Sequence, residues 1–477
     1  MAAASRPVLP SSSKGYASLD EEPGQHKARE LTPYRLILYV FLALFFLGAV
    51  QKPVAHCYRR VSDHVCQRHM SVEKRARRIL ARTPLIGTGT YNLRPTLWLT
   101  FISCTDGHVD FAVAMRYLYG NRVDNSEWAQ SFENGTLLGH VDLARLRTGQ
   151  SGGAFWSVFA PCPTKGDDFS DENLAASVQY TLDQIDVTAR AFGAYPRDFA
   201  MRLDSSDAVG AFKAGKLVSP FGIEGLHQIG NSAANLRLFH DLGVRYATLT
   251  HNCHNKFADA ALLENPPRKA KPHWGGVSPL GRRLVHEMNR IGMIVDLAHV
   301  SDDTMLDVLG GRDDWEGSKA PVLFSHSSAW SICPHPRNVK DHVLQLVKER
   351  NSLVMVNISP GFISCVDVGD DLPEEDLKNA TLDQIVKHIT HIGNFIGYDH
   401  VGIGTDFDGI PEVLTGFEDV TKYPDLVAAL LRAGVSDSDA AKVVGGNALR
   451  VWKDVEAVSA EMKAKGAPVM EDERKGP

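Results

Sequence analysis

The sequence predicts a parallel α/β chain, best built as a TIM-like (β/α)8 barrel. Three observations carry this. Apolar strand-like runs alternate with amphipathic helical stretches over most of the chain. Most of those runs end in an ionisable residue, as expected of strands that converge on one barrel mouth. No Gly-rich phosphate fingerprint follows an early strand, which places a doubly wound sheet second.

Residues 1–33 are rich in Ser, Pro and charge and read as a disordered cytosolic tail. Residues 36–50, LILYVFLALFFLGAV, hold neither charge nor amide. With their shoulders they make 34–54 a transmembrane signal anchor. A cleaved signal peptide is the weaker reading, because a long polar stretch precedes the run and no small-x-small site follows it. The flanking charges, Lys27, Arg29 and Arg35 before and Lys52, Arg59 and Arg60 after, barely orient it. Residues 55–71 form a stalk, and the barrel domain occupies 72–455, with VEKRARRILAR as a further stalk helix or its first helix.

Within the domain, KLVSPFGIEG precedes SAANLRLFHDLG, and VRYATLTHN precedes LGRRLVHEMNRIG after a loop. MIVDLAHV leads to SDDTMLDVLGG, PVLFSHSSA to KDHVLQLVKERN, and SLVMVNIS to LDQIVKHITHIGNFIG. DHVGIGTDFDG closes the series before paired helices. Residues 456–477 are a polar tail without an apolar stretch, so a glycosylphosphatidylinositol anchor is not indicated. The composition is that of a globular protein, with a net charge of -6 and no basic stripe, which argues against a nucleic-acid partner.

The ionisable residues at strand ends are His108 with Asp110, Glu224, His251, His299, His326 and Asp406. His108 and Asp110 share a face if both lie on a strand, whose period is two. Each residue alone has a plainer reading: a strand histidine is usually a hydrogen-bonded structural residue, and an Asp after a strand is usually a helix cap. Asp408 fits a cap or a partner of the site. The whole set, in apolar contexts such as IVDLAHV and PVLFSHSSA, would be costly to bury unpaired. A divalent metal resolves that cost, and imidazole with carboxylate and no thiolate suits zinc, with manganese or cobalt conceivable. Three histidines, one Asp and one Glu exceed one tetrahedral site. Two Zn2+ per chain are therefore expected, with Glu224 able to bridge them and a hydroxide between them as nucleophile.

The motifs D-G-H-V-D, GGAFWSVF, G-I-E-G, L-T-H-N-C, D-L-A-H-V-S, F-S-H-S-S-A, R-N-V and G-T-D-F-D-G, in that order, resemble the membrane (renal-type) dipeptidase family. These are zinc metallopeptidases on an amidohydrolase-like barrel, and the resemblance covers about residues 72–455. It implies that His108, Asp110 and Glu224 hold one zinc and that Glu224, His299 and His326 hold the other. It makes His251 the residue that contacts substrate and stabilises the tetrahedral intermediate, Arg337 the partner of the substrate's terminal carboxylate, and Asp406 the proton carrier. Arg337 alone would read as a surface salt bridge. The implied reaction is hydrolysis of a dipeptide by a metal-bridging hydroxide. Alternatives are another amide substrate (a β-lactam, an N-acyl amino acid or a cysteinyl-glycine conjugate) and a non-catalytic membrane-tethered barrel.

The resemblance also pairs Cys162 with Cys253 and Cys333 with Cys365, which implies an oxidising compartment. Asn134 (N-G-T) and Asn379 (N-A-T) are glycosylation sequons, whereas N-I-S at Asn357 lies in a strand-like run and is expected to be unused. The expected topology is a single-pass type II membrane protein with its catalytic domain lumenal or extracellular. Animal relatives instead use a C-terminal lipid anchor. No cysteine near the C-terminus offers an interchain bridge, which leaves a non-covalent homodimer open; Cys57 and Cys66 can pair with each other or across chains.

One segment departs from the family. Where relatives run from a P-L-I stretch almost directly into D-G-H, residues 87–105, GTGTYNLRPTLWLTFISCT, are interposed and include the unpartnered Cys104. The insert reads as a translated intron. If it is genuine, LWLTFISCT forms the first strand in place of P-L-I or disturbs delivery of His108 and Asp110.

Overall fold

The computed structural model describes residues 70–81, 104–312, 315–369 and 372–472. Eight parallel strands line up in chain order: β1 (Cys104–Val109), β2 (Ser151–Ser157), β3 (Phe221–Glu224), β4 (Val244–Thr248), β5 (Ile294–Asp296), β6 (Leu323–Phe324), β7 (Leu353–Val356) and β8 (Val401–Ile403). Each pairs in parallel with the next. The ring closes where Val109 bridges Phe407. There Asp406 N donates to His108 O at 3.0 Å and Asp110 N donates to Phe407 O at 2.8 Å. Two short strands, Phe199–Ala200 and Leu217–Val218, extend the sheet beside β2. The expected mostly parallel α/β sheet is thus observed, with strands buried on both faces and correspondingly apolar, as in the LVMV of β7.

The helices carry the signals that the sequence offered. Pro279–Ile291 starts behind Ser278, whose hydroxyl accepts from Gly281 N, and stops at Gly292 with φ 90°. Val72–Leu80 buries Ala76, Ile79 and Leu80 and packs on the helix Tyr423–Arg432, so VEKRARRIL is a helix of the domain. The barrel floor is filled by Phe155, Tyr246, Ile294, Leu323, Leu353 and Met355, packed on Val451, Trp452 and Val455. These last three belong to the helix Asn447–Ala464, which continues beyond the expected boundary at residue 455. The polar residues that follow are also used. Asp472 accepts from Ser232 Oγ at 2.7 Å and Ala233 N at 2.6 Å, at the start of the helix Ala233–Asp241. The polarity of Asp472 thus serves the N-terminus of that helix.

Two glycines allow the strands to pass each other inside the barrel. A Cβ on Gly404 would lie 1.7 Å from Ser325 O, and one on Gly107 would lie 2.6 Å from the same oxygen. Cys104 and Thr105, the last residues of the interposed segment, begin β1, where Cys104 pairs with Ser151 and Thr105 with Gly153. The rest of that segment up to residue 103, the 1–33 tail, the 34–54 apolar run, the stalk up to residue 69, Cys57 and Cys66 lie outside the described residues. Among the described residues, no helix is long and apolar enough to cross a membrane.

Candidate active site

Every strand-end residue singled out in the sequence reaches the C-terminal mouth of the barrel. Glu224 ends β3, His251 follows β4, His299 follows β5, His326 follows β6, and Asp406 follows β8. Asp110 differs from the period-two expectation. β1 ends at Val109, and Asp110 takes the N-cap position of the helix Phe111–Tyr119. Its side chain makes no capping bond; Oδ2 instead lies 3.1 Å from His108 Nε2. The two side chains converge because the backbone turns after the strand. His299 (φ 63°) and Asp406 (φ 66°) hold left-handed backbone, a strain that the surrounding structure must sustain.

The centre of the cluster is one oxygen. Glu224 Oε1 lies 2.9 Å from His299 Nε2, 3.3 Å from His326 Nε2 and 3.6 Å from His108 Nε2. His299 Nε2 and His326 Nε2 are 2.9 Å apart. The outer hydrogen bonds decide which nitrogens carry protons. Asn252 Oδ1 accepts from His299 Nδ1 at 2.9 Å. Ser325 Oγ donates to Asp296 Oδ2 at 2.7 Å, so its contact at 2.8 Å with His326 Nδ1 makes that nitrogen the donor. Both Nε2 atoms are therefore bare in the neutral rings, and both face a carboxylate oxygen. Lone pairs so arranged repel unless a cation stands among them, so the residues fit a divalent metal centre with its imidazoles oriented from behind. Asp110 Oδ1, buried without a hydrogen-bond partner, points to the same need.

The electrostatics agree. Burial holds His299 and His326 well below the usual histidine range, and the Arg337 charge adds to it. At His108 burial also opposes protonation, but the Tyr246 hydroxyl and the Asp110 and Glu224 carboxylates beside it outweigh it and raise the pKa. The carboxylates thus call for a positive charge beside His108. Burial pushes Asp406 up to about 8; Asp110 and Glu224 add to this, while His108 and Arg337 oppose it. His251 is held well below its usual range, by burial first and then by His227 and Arg337.

Arg337 is buried rather than a surface ion pair. Its Nη2 donates to His326 O at 3.3 Å, and its guanidinium lies 5.1 Å from the centre of the Phe362 ring. Among the described residues it forms no ion pair, and its Nε has no hydrogen-bond partner. Burial lowers its pKa to about 10. Arg337, His251, Phe159, Asn252 and Phe362 line a cavity of about 340 Å³ together with Asp110, Glu224, His299 and Asp406.

Disulfide bonds join Cys162 to Cys253 and Cys333 to Cys365, clasping loops that carry His251 and Arg337. Asn134 and Asn379 are exposed and Asn357 is fully buried. Asp408 caps no helix; its Oδ1 accepts from His140 N at 2.6 Å, and its own N–H donates to His140 Nδ1 at 2.9 Å.

Several supporting residues were missed in the sequence. Asn357 Nδ2 donates to Asp406 Oδ2 at 3.0 Å. Tyr246 OH lies 2.6 Å from His108 Nδ1. Asp106 accepts from His108 N, Thr405 N, Thr405 Oγ1 and Tyr423 OH, locking the His108 strand to the Asp406 loop. The first Asp of D-G-H-V-D and the Thr of G-T-D were legible as motif letters, but their mutual contact was not.

Comparison with known proteins identifies the family. The family model for membrane dipeptidase (peptidase family M19) matches residues 98–466. A dipeptidase, tcpJ, of Claviceps purpurea is 42% identical over 400 residues, covering 83% of this chain and 87% of the relative. An uncharacterised dipeptidase of Schizosaccharomyces pombe is 44% identical over 392 residues, 79% of this chain and 88% of the relative. A metallopeptidase structure from Rhodobacter sphaeroides, 24% identical, shares the fold with a TM-score of 0.62, over 74% of this chain and 99% of that one. The chain therefore belongs to the membrane dipeptidase family, peptidase family M19, as a metal-dependent hydrolase acting on peptide bonds.

Proposed function

We propose that the chain is a membrane-anchored, binuclear zinc dipeptidase. The observation that carries this is the convergence of three imidazole Nε2 atoms on one Glu224 oxygen, beside a buried guanidinium without a carboxylate. His108, Asp110 and Glu224 would hold one zinc, and Glu224, His299 and His326 the other. Bound there, zinc supplies Lewis acidity toward the peptide carbonyl and an activated water.

The chain's own residues do the rest. Arg337 offers a two-pronged fork to the substrate's terminal carboxylate, which a longer peptide would place elsewhere. His251, kept neutral, donates a hydrogen bond to the carbonyl oxygen as it gains charge. Asp406, beside the centre, moves a proton from water to the departing amine, and Asn357 orients it. Phe159 and Phe362 give the cavity an apolar wall.

The 34–54 run supports a type II anchor, and the two disulfides support a catalytic domain in a lumenal or extracellular setting. On this reading 1–33 is a cytosolic tail, 55–71 a stalk, and Asn134 and Asn379 carry glycans. A non-covalent homodimer is compatible with it. Metal analysis should find about two zinc ions per chain, the number that the ligand set can hold. Activity on a panel of dipeptides should vanish with chelator and return with zinc. Zinc-replete protein with no turnover on any dipeptide defeats the proposal.

A further inference from the structure

The cavity is lined by four carboxylates, Asp110, Glu224, Glu264 and Asp406. Three face the histidine cluster, each within 4.0 Å of His108 Nε2. Glu264 does not. It begins the turn between two short strands, Leu262–Leu263 and Arg268–Lys269, on a loop over the barrel mouth. That loop is tied to the centre, because Ala261 N donates to His299 O at 2.7 Å. Glu264 Oε2 is buried and accepts no hydrogen bond among the described residues. The nearest basic nitrogen is His251 Nδ1 at 4.0 Å, too far for a hydrogen bond.

One cavity thus presents a buried guanidinium without a carboxylate and a half-buried carboxylate whose inner oxygen has no donor among the described residues. A dipeptide zwitterion carries both complements. Its ammonium group is repelled by divalent metal, so it cannot settle on the carboxylates committed to the centre. Glu264 is the remaining carboxylate on the cavity wall. Resting on the dipeptidase reading above, we infer that Glu264 receives the free α-ammonium group of the substrate. It thereby makes the enzyme select unblocked dipeptides over N-acylated ones.

The test compares wild type with Glu264→Gln and Glu264→Ala, both zinc-loaded. Substrates are one dipeptide and its N-acetyl form, and a des-amino dipeptide analogue serves as competitive inhibitor. KM for the free dipeptide should rise about 10- to 100-fold, the range for one lost charge-assisted hydrogen bond, with kcat changed less than about threefold. Turnover of the N-acetyl form and inhibition by the des-amino analogue should be unchanged. An unchanged KM, or equal losses on free and acetylated substrates, overturns the inference and leaves the dipeptidase reading standing. A wild-type enzyme that turns over no dipeptide at all defeats that reading, and this inference with it.

Discussion

Asp106 and Asp110 lie four residues apart, both buried, and meet opposite fates. Asp106 accepts four hydrogen bonds from β1, the segment after β8 and Tyr423. Asp110 leaves one oxygen without a partner and aims the other at His108. The pattern recurs after β5. Asp296 accepts from Ala298 N, Ser325 N, Ser325 Oγ and Thr248 Oγ1, whereas His299, three residues on, points a bare nitrogen at Glu224. A deeper layer of satisfied acids fixes the backbone, and a shallower layer of unsatisfied groups is kept for a cation. Burial is common to both layers; satisfaction separates structure from chemistry.

Breaking the shallow layer should give the largest effect. Glu224→Gln should lower kcat/KM at least about 10³-fold, since the metal's Lewis acidity is worth several kcal/mol. Zinc per chain should fall by about one or more, while the chelator-treated variant melts no lower than chelator-treated wild type. A stability loss in the stripped protein would move Glu224 into the structural class.

Breaking the deep layer should do the reverse. Asp106→Ala orphans four donors and should destabilise the chelator-treated protein by about 3–5 kcal/mol in urea denaturation. A fully stable but inactive Asp106→Ala would erase the distinction.

Arg337→Ala tests the shallow layer from the substrate's side. It should lower kcat/KM for dipeptides about 10²-fold or more, as for a lost bidentate pair, at unchanged zinc content. Amides without a free carboxylate should be indifferent, and equal losses on both would remove Arg337 from substrate recognition. A smaller effect is expected for Asn357→Ala, which frees the Asp406 carboxylate to turn. Activity should fall about 10-fold, in the range for a residue orienting a site group, with stability nearly unchanged.

A pH dependence tests the satisfied class without removing a site residue. His388 Nδ1 accepts from Ala329 N and its Nε2 donates to Ile363 O, and burial lowers its pKa to about 4 from an ordinary 6.5. Its unfolded form binds a proton more readily than its folded form. The stability it protects is therefore complete above pH 6.5 and is lost as pH falls from 6.5 toward 4. His388→Asn should make this acid limb shallower by roughly 1 kcal/mol per pH unit in urea denaturation, one group's share, while His227, His240 and His335, also lowered by burial, keep the rest. An unchanged slope would show that His388 does not control it.

The barrel was legible because strand–helix alternation is a local pattern, and the metal-site residues because charged groups at the ends of apolar runs are anomalous wherever they occur. Asp110 was placed correctly beside His108 for an incomplete reason: the strand stops one residue short, and the turn supplies the convergence. Asn357, Tyr246 and Glu264 were not legible. An amide, a phenol and a loop carboxylate are ordinary letters until folding sets them against Asp406, His108 and the cavity.

By itself the sequence determined the residue types, their order and their strand-end positions, because hydrophobic period and local propensity are written residue by residue. Only the tertiary structure decided which buried acids are satisfied and which are not. A hydrogen bond between Asp106 and Thr405 joins residues 299 positions apart, and closure of the ring through Phe407 brings them together. The same closure leaves Glu224 Oε1 facing three imidazoles, a cost that the chain accepts because a metal offsets it.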